Sequence, residues 1–138
     1  MSPEGRSGKA LTILLAEDDL LSAEVLKHCL EGEGYQVLHF PDGSQALKGA
    51  LAQPVDVGIL DVKMPGMDGF QLLEKLRTIP AYRDLPIMML TSLGSAENRA
   101  RGFELGATDY LVKPFSPAEV LARIRRYLKP DPPVQPDP

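Results

Sequence analysis

The strongest constraint on this chain is an alternation: short, mainly apolar runs are followed, five times over, by longer segments whose apolar residues recur at helical spacing. Residues 11–16, 55–60, 86–90 and 110–112 read as buried strands, with 36–40 as a weaker fifth. Helical spacing covers residues 20–33, 44–52, 69–78, 96–105 and 116–128. Punctuation agrees with periodicity. Gly34 and Gly106 follow the first and fourth helices, where a chain commonly leaves the helix through a conformation that glycine adopts readily. Pro117 opens the fifth helix, where no backbone N–H is needed, and Lys129-Pro130 lies beyond its end. Apolar strands that alternate with helices imply a parallel sheet covered on both faces, so the expected fold is α/β, a doubly wound five-stranded parallel sheet. In such sheets ligands gather at the carboxyl ends of the strands.

The 138 residues, 43% hydrophobic, suffice for one domain whose core needs neither metal nor disulfide. That domain is expected over residues 11–129, after a flexible N-terminal segment at 1–10. A proline-rich tail or linker follows at 130–138, holding five of the thirteen prolines. Met1 suggests an authentic start, and the tail suggests a shortened form of a longer protein. Cys29, the one cysteine, has no partner for an intramolecular disulfide, and its neighbours Val25, Leu26 and Leu30 point to a buried thiol in a reducing cytoplasm. No run approaches the roughly 20 apolar residues of a membrane helix, and the first residues lack a secretory apolar core. A net charge of -4 and a pI near 5.1 argue against direct contact with nucleic acid, which requires clustered cations. No internal repeat is present.

The residues that end the strands are polar and mutually consistent. The first strand runs into Glu17, Asp18 and Asp19, the third into Asp61, the fourth into Thr91 and Ser92, and the fifth into Lys113 and Pro114. Carboxylates gathered on one rim repel unless a cation joins them. Mg²⁺ takes oxygen ligands, retains waters and pairs with phosphate, so this rim is the expected site of Mg²⁺ or Mn²⁺.

The acidic pair, LDVKMPGMDG, the Thr91-Ser92 strand end and YLVKPF, in this order, resemble the receiver domains of two-component response regulators; the likeness spans residues 11–128. It implies a flavodoxin-like (βα)5 fold with strand order 2-1-3-4-5, and a phosphoprotein that takes a phosphoryl group from a sensor histidine kinase or phosphotransfer protein. By this resemblance Asp61 is the phosphoacceptor, Asp18 a direct metal ligand, Glu17 a ligand through water, and the Lys63 carbonyl a backbone ligand. Asp19 then falls at the opening of the first helix as an N-cap. Thr91 supplies a hydroxyl, Lys113 an ammonium, and Tyr110 the aromatic ring that turns inward when the phosphate draws in the Thr91 hydroxyl. In the family the Lys-Pro peptide at 113–114 is cis. The last helix is closest to transcription factors with a winged-helix output or to diguanylate cyclase regulators. In the former branch, Arg99 would pair with Glu119 and Asp109 with Arg123 across a phosphorylation-dependent homodimer on the face of helix 4, strand 5 and helix 5.

Simpler readings stand beside these. Asp68 is expected to cap the third helix, with Gly66 and Gly69 serving the turn before it, while Lys63 is solvated and Met64 and Met67 pack locally. His28 and His39 have no partner at metal-ligand spacing and are expected to be structural. Arg123, Arg125, Arg126 and Lys129 suit the dipole at a helix end. An aspartyl-phosphate hydrolase would need a second Asp two residues after the nucleophile, where Lys63 stands, and there is no Gly-rich loop for a nucleotide. The chain is therefore read as a signalling phosphoacceptor expected to act on its own phosphate, not as a turnover enzyme. The competing reading is a degenerate receiver acting only as an interaction module. An output domain or partner protein would carry the response, by DNA binding or cyclic dinucleotide synthesis.

Overall fold

The computed structural model describes residues 10–128, so the expected N-terminal segment, Ala10 apart, and the expected tail lie outside the described residues. The strands are β1 (Thr12–Ala16), β2 (Gln36–Phe40), β3 (Val57–Leu60), β4 (Ile87–Thr91) and β5 (Asp109–Val112). The helices are α1 (Leu20–Gly32), α2 (Gly43–Ala52), α3 (Gly69–Arg77), α4 (Ala96–Glu104) and α5 (Pro117–Leu128). All strand pairs are parallel and the order is 2-1-3-4-5, as expected.

Side chains that alternate along each strand divide the core in two. Leu14, Ala16, Leu60, Ile87 and Met89 meet Ala46 and Ala50 of α2 and Phe70, Leu73 and Leu76 of α3. On the opposite face, Ile13, Leu15, Ile59 and Met88 meet Ala23, Leu26 and Leu30 of α1 and Val120 and Ile124 of α5. Helix starts are fixed by side chains that satisfy orphan backbone N–H groups. Asp19, Asp42 and Ser95 each accept from the first turn they precede, and Asp68 forms a reciprocal capping box with Gln71. Gly34 and Gly106, at φ +95° and +108°, leave α1 and α4 through the left-handed region.

Most element ends fall within a residue of their expected places, and the larger departures have physical causes. β3 begins at Val57 instead of 55 because the Val55 N–H is taken by the Tyr82 hydroxyl at 3.3 Å. That tyrosine belongs to a 3₁₀ turn, Pro80–Tyr82, which sequence periodicity did not reveal. Its hydroxyl also donates to the Ala50 carbonyl at 2.7 Å, tying the end of α2 to the entrance of β3. Cys29 is half-buried, not buried as expected. It lies one helical turn from Val25, which is 48% exposed, whereas Ala23, Leu26 and Leu30 form the inward stripe of α1.

At the amino ends of the strands, Leu11 and Leu128 line one shallow depression of about 520 Å³ with Tyr35, Arg125 and Arg126. No helix among the described residues is long and apolar enough to cross a membrane.

Candidate functional site

The sheet ladder continues one residue beyond the strands, and this holds the polar rim in place. The Asp61 N–H donates to the Ala16 carbonyl at 2.9 Å, Lys113 to Thr91 at 2.8 Å, and Glu17 to Phe40 at 3.1 Å. Backbone pairing thereby carries these residues from adjacent strands to one edge. Carboxylate oxygens of Glu17, Asp18 and Asp61 lie within 4.8 Å of one another. Glu17 and Asp61 are buried, while Asp18 is exposed at the mouth. An open cleft of about 530 Å³ adjoins them, its walls including Asp18, Lys63, Asp68, Asn98 and Arg101.

The Lys113 ammonium bridges the two buried carboxylates, at 2.8 Å from Glu17 Oε1 and 2.9 Å from Asp61 Oδ2. The Lys113-Pro114 peptide is cis. Burial raises the Glu17 carboxyl above its ordinary range and the Asp61 charge adds to this, outweighing the hydrogen bonds from Lys113 and the Asp19 N–H. Burial alone would lower the Lys113 pKa, but its hydrogen bonds to Glu17 and Asp61 and their charges outweigh that and raise it. Asp61 keeps Oδ1 comparatively free, its one weak donor among the described residues being the Lys63 N–H at 3.4 Å. Asp19 is withdrawn from this chemistry because its carboxylate is bound to Leu21 N–H, Ser22 N–H and the Ser22 hydroxyl. A donor set of carboxylate oxygens beside an open cleft fits a hard divalent cation that keeps part of its water shell.

Thr91, fully buried, ends β4, and its oxygen accepts the Leu93 N–H at 3.2 Å. Sequence reasoning missed two neighbours of the site. Gly69 was assigned to a turn, yet a Cβ there would stand 2.0 Å from the Asp61 carbonyl oxygen, so its missing side chain is what lets α3 approach β3. His39 was read as structural alone, and its Nε2 lies 2.8 Å from the Glu17 carbonyl oxygen. The capping role of Asp68, the exposed Lys63 and the packing of Met64 and Met67 match expectation.

Residues 13–125 match the family of the response regulator receiver domain. The chain belongs to that family. Over 119 residues it is 42% identical to the transcriptional regulatory protein HprR of Escherichia coli K12, covering 86% of this chain and 52% of that protein. It is 45% identical over 117 residues to the transcriptional regulatory protein CpxR of Klebsiella pneumoniae, covering 85% and 49%. This receiver domain thus spans about half the length of the curated relatives it matches. Among solved structures, the chemotaxis protein CheY4 of Vibrio cholerae superposes with a TM-score of 0.82 at 37% identity, over 86% of this chain and 99% of that one. The receiver domain of the sensor histidine kinase PA1611 from Pseudomonas aeruginosa gives 0.79 at 32% identity, over 86% and 97%, and is described with a magnesium ion in its active-site cleft.

The receiver domain's α4–β5–α5 face is held together by contacts within the chain. Tyr110 is buried, its hydroxyl donating to the Leu93 carbonyl, so the ring already points inward. The Arg99 guanidinium lies 5.6 Å from that ring's centroid, placed over the aromatic face. Asp109 and Arg123 pair within one chain, at 2.7 Å, and Arg123 also reaches Glu119 at 3.4 Å. The Tyr127 hydroxyl donates to the same Asp109 carboxylate. Burial would raise the Asp109 carboxyl, but its bonds to Tyr127, Arg123 and the Tyr110 N–H hold it below the usual range.

Proposed function

We propose that this receiver domain accepts a phosphoryl group on Asp61, from a sensor histidine kinase or phosphotransfer protein, with Mg²⁺ or Mn²⁺ held by Glu17, Asp18, Asp61 and the Lys63 carbonyl. The observation that carries this reading is the Lys113 bridge between Glu17 and Asp61 at the edge of an open acidic cleft. Asp61 offers an oxygen, Oδ1, with little else bound to it. As that oxygen bonds to phosphorus, the P–N bond of a phosphohistidine breaks; the electron pair stays with the imidazole nitrogen, which can then take up a proton. The transferred group gathers negative charge, so catalysis consists mostly of placement and charge stabilisation. A bound divalent ion supplies positive charge to the phosphoryl oxygens. Lys113 supplies a second positive charge, exchanging a carboxylate partner for a phosphoryl oxygen, and the Thr91 hydroxyl proton donates to another.

Glu17 acts through water in this scheme, as the family resemblance implies, with its carboxylate oxygens anchored by the Asp19 N–H and the Lys113 ammonium. The output is a change of population at the α4–β5–α5 face. Thr91 and Tyr110 meet at Leu93, one bonding its N–H and the other its carbonyl, so a pull on Thr91 is felt by the ring. That face, with Arg99, Asp109, Glu119 and Arg123, is where a phosphorylated homodimer or output domain would engage, in the cytoplasm.

Beryllofluoride with Mg²⁺ tests the reading, monitored by amide spectra and solution mass. Shifts around Asp61, Thr91, Lys113 and Tyr110 that disappear in Asp61→Asn are expected. An unchanged wild-type spectrum would leave the family fold without its phosphoryl chemistry and favour an interaction module.

A further inference from the structure

We propose that His39 is a positioning residue of the metal site, acting through the backbone of Glu17; this rests on the reading of the acidic cluster as a Mg²⁺ site. Glu17 is the most completely tethered residue of that cluster. Its N–H donates to the Phe40 carbonyl at 3.1 Å, and its carboxylate oxygens accept from Lys113 and from the Asp19 N–H at 2.8 and 3.1 Å. The remaining polar group, its carbonyl, lies 2.8 Å from His39 Nε2. A carbonyl can only accept, so Nε2 carries the proton and donates it, whether the ring is neutral or charged.

The position of this bond explains what it does. Pairing between β1 and β2 ends at Ala16 opposite Phe40, one residue before Glu17. In this parallel register the Glu17 carbonyl would next accept from the N–H of Asp42, and no such bond forms among the described residues. His39, opposite Leu15 in the register, sends its ring forward past the end of the ladder and supplies the missing donor. The peptide that links Glu17 to Asp18 is thereby fixed on its carbonyl side, and that peptide sets the spacing between two acidic groups of the cluster. Partners of this outer kind typically change metal affinity by about 10-fold to 100-fold when removed.

Mg²⁺ titration of the full chain, followed by amide shifts, separates this from a purely structural role when combined with thermal melting in the absence of metal. His39→Phe keeps a ring without the donor and is expected to weaken Mg²⁺ binding about tenfold, the low end of the outer-partner range. His39→Gln, whose side-chain amide can present an N–H at similar reach, is expected to restore most of the affinity. His39→Leu, smaller and also without a donor, guards against a ring that does not fit. A folded Phe or Leu variant with wild-type affinity would overturn the proposal, as would a Gln variant as weak as both. Loss of folding in both donor-free variants would overturn it too, by making His39 a residue of the fold. A wild-type protein that binds no Mg²⁺ would remove the metal site itself, a different failure from normal wild-type binding left untouched in His39→Phe.

Discussion

Gly69→Ala separates two physical arguments that predict opposite signs. Gly69 is the first residue of α3, and its φ is not in the left-handed region, so local conformation permits any residue there. Helix propensity alone would have alanine stabilise the chain, by up to about 1 kcal/mol. The contact geometry says otherwise. The added Cβ would stand 2.0 Å from the Asp61 carbonyl oxygen and 2.8 Å from Val62 Cα. Those atoms are backbone and cannot rotate aside. Carbon and oxygen in this kind of contact settle at about 3.3 Å, so α3 must retreat from β3 by roughly 1 Å. That retreat strains or breaks the 2.8 Å bond from the Gly69 N–H to the Val62 carbonyl. Overpacking at about 1–3 kcal/mol and a lost hydrogen bond at about 1 kcal/mol, less a propensity gain of about 1 kcal/mol, leave a net loss of about 1–3 kcal/mol. Urea unfolding should show a lower midpoint at unchanged slope, and melting should fall by roughly 10 °C. Because the displaced atoms belong to Asp61, Mg²⁺ affinity should fall as well. A Gly69→Ala protein as stable as wild type, or more so, would refute the reasoning.

Asp18→Asn should modestly raise stability without metal, by about 0.5 kcal/mol, because it removes one of three converging negative charges at an exposed position, and should weaken Mg²⁺ binding in calorimetry. Tyr127→Phe should lower stability by about 1–2 kcal/mol at neutral pH through loss of a hydrogen bond to a charged group, read by urea unfolding. Burial and the Asp109 carboxylate push the Tyr127 phenol from 10.0 up to about 12. Its contribution is therefore complete below about 10 and lost as pH rises towards 12, so the alkaline loss of stability should be shallower in the Phe variant. Asp109 has the opposite sign: its folded carboxyl titrates below its ordinary value of 3.8, the unfolded chain binds the proton first, and stability is lost as pH falls through the folded value. Asp109→Asn should flatten the acid limb of the stability profile below about 4.

The sheet was legible because its central strands, β1, β3 and β4, are buried on both faces and thus leave apolar runs that interrupt helical spacing. The site was legible as a location for the same reason: once the ends of β1, β3, β4 and β5 were placed, Glu17, Asp18, Asp61, Thr91 and Lys113 had to share an edge. Contacts that depend on side-chain reach were not. Nothing in a linear pattern says that Lys113 will bridge Glu17 and Asp61, residues that lie 96 and 52 positions away. Nor does it say that His39 will lean past its own strand end. Gly69 was misread because close backbone approach leaves the same letter as a turn, and the 3₁₀ segment at Pro80 was too short to show a period. Cys29 went astray because helical neighbours were judged by sequence proximity, when the flank it shares with Val25 faces away from the sheet.

Leu11 and Leu128, which both line the depression at the amino ends of the strands, lie at the start and the end of the described residues. The acidic cleft lies at the other end of the same strands. A domain entered and left through neighbouring doors can be spliced into a longer polypeptide, or have one appended, with little distortion of its frame. Whatever is attached there starts on the far side of the sheet from the chemistry. An attachment at that end would leave the cleft unaltered, and a signal between the two would have to cross the flanks of the sheet.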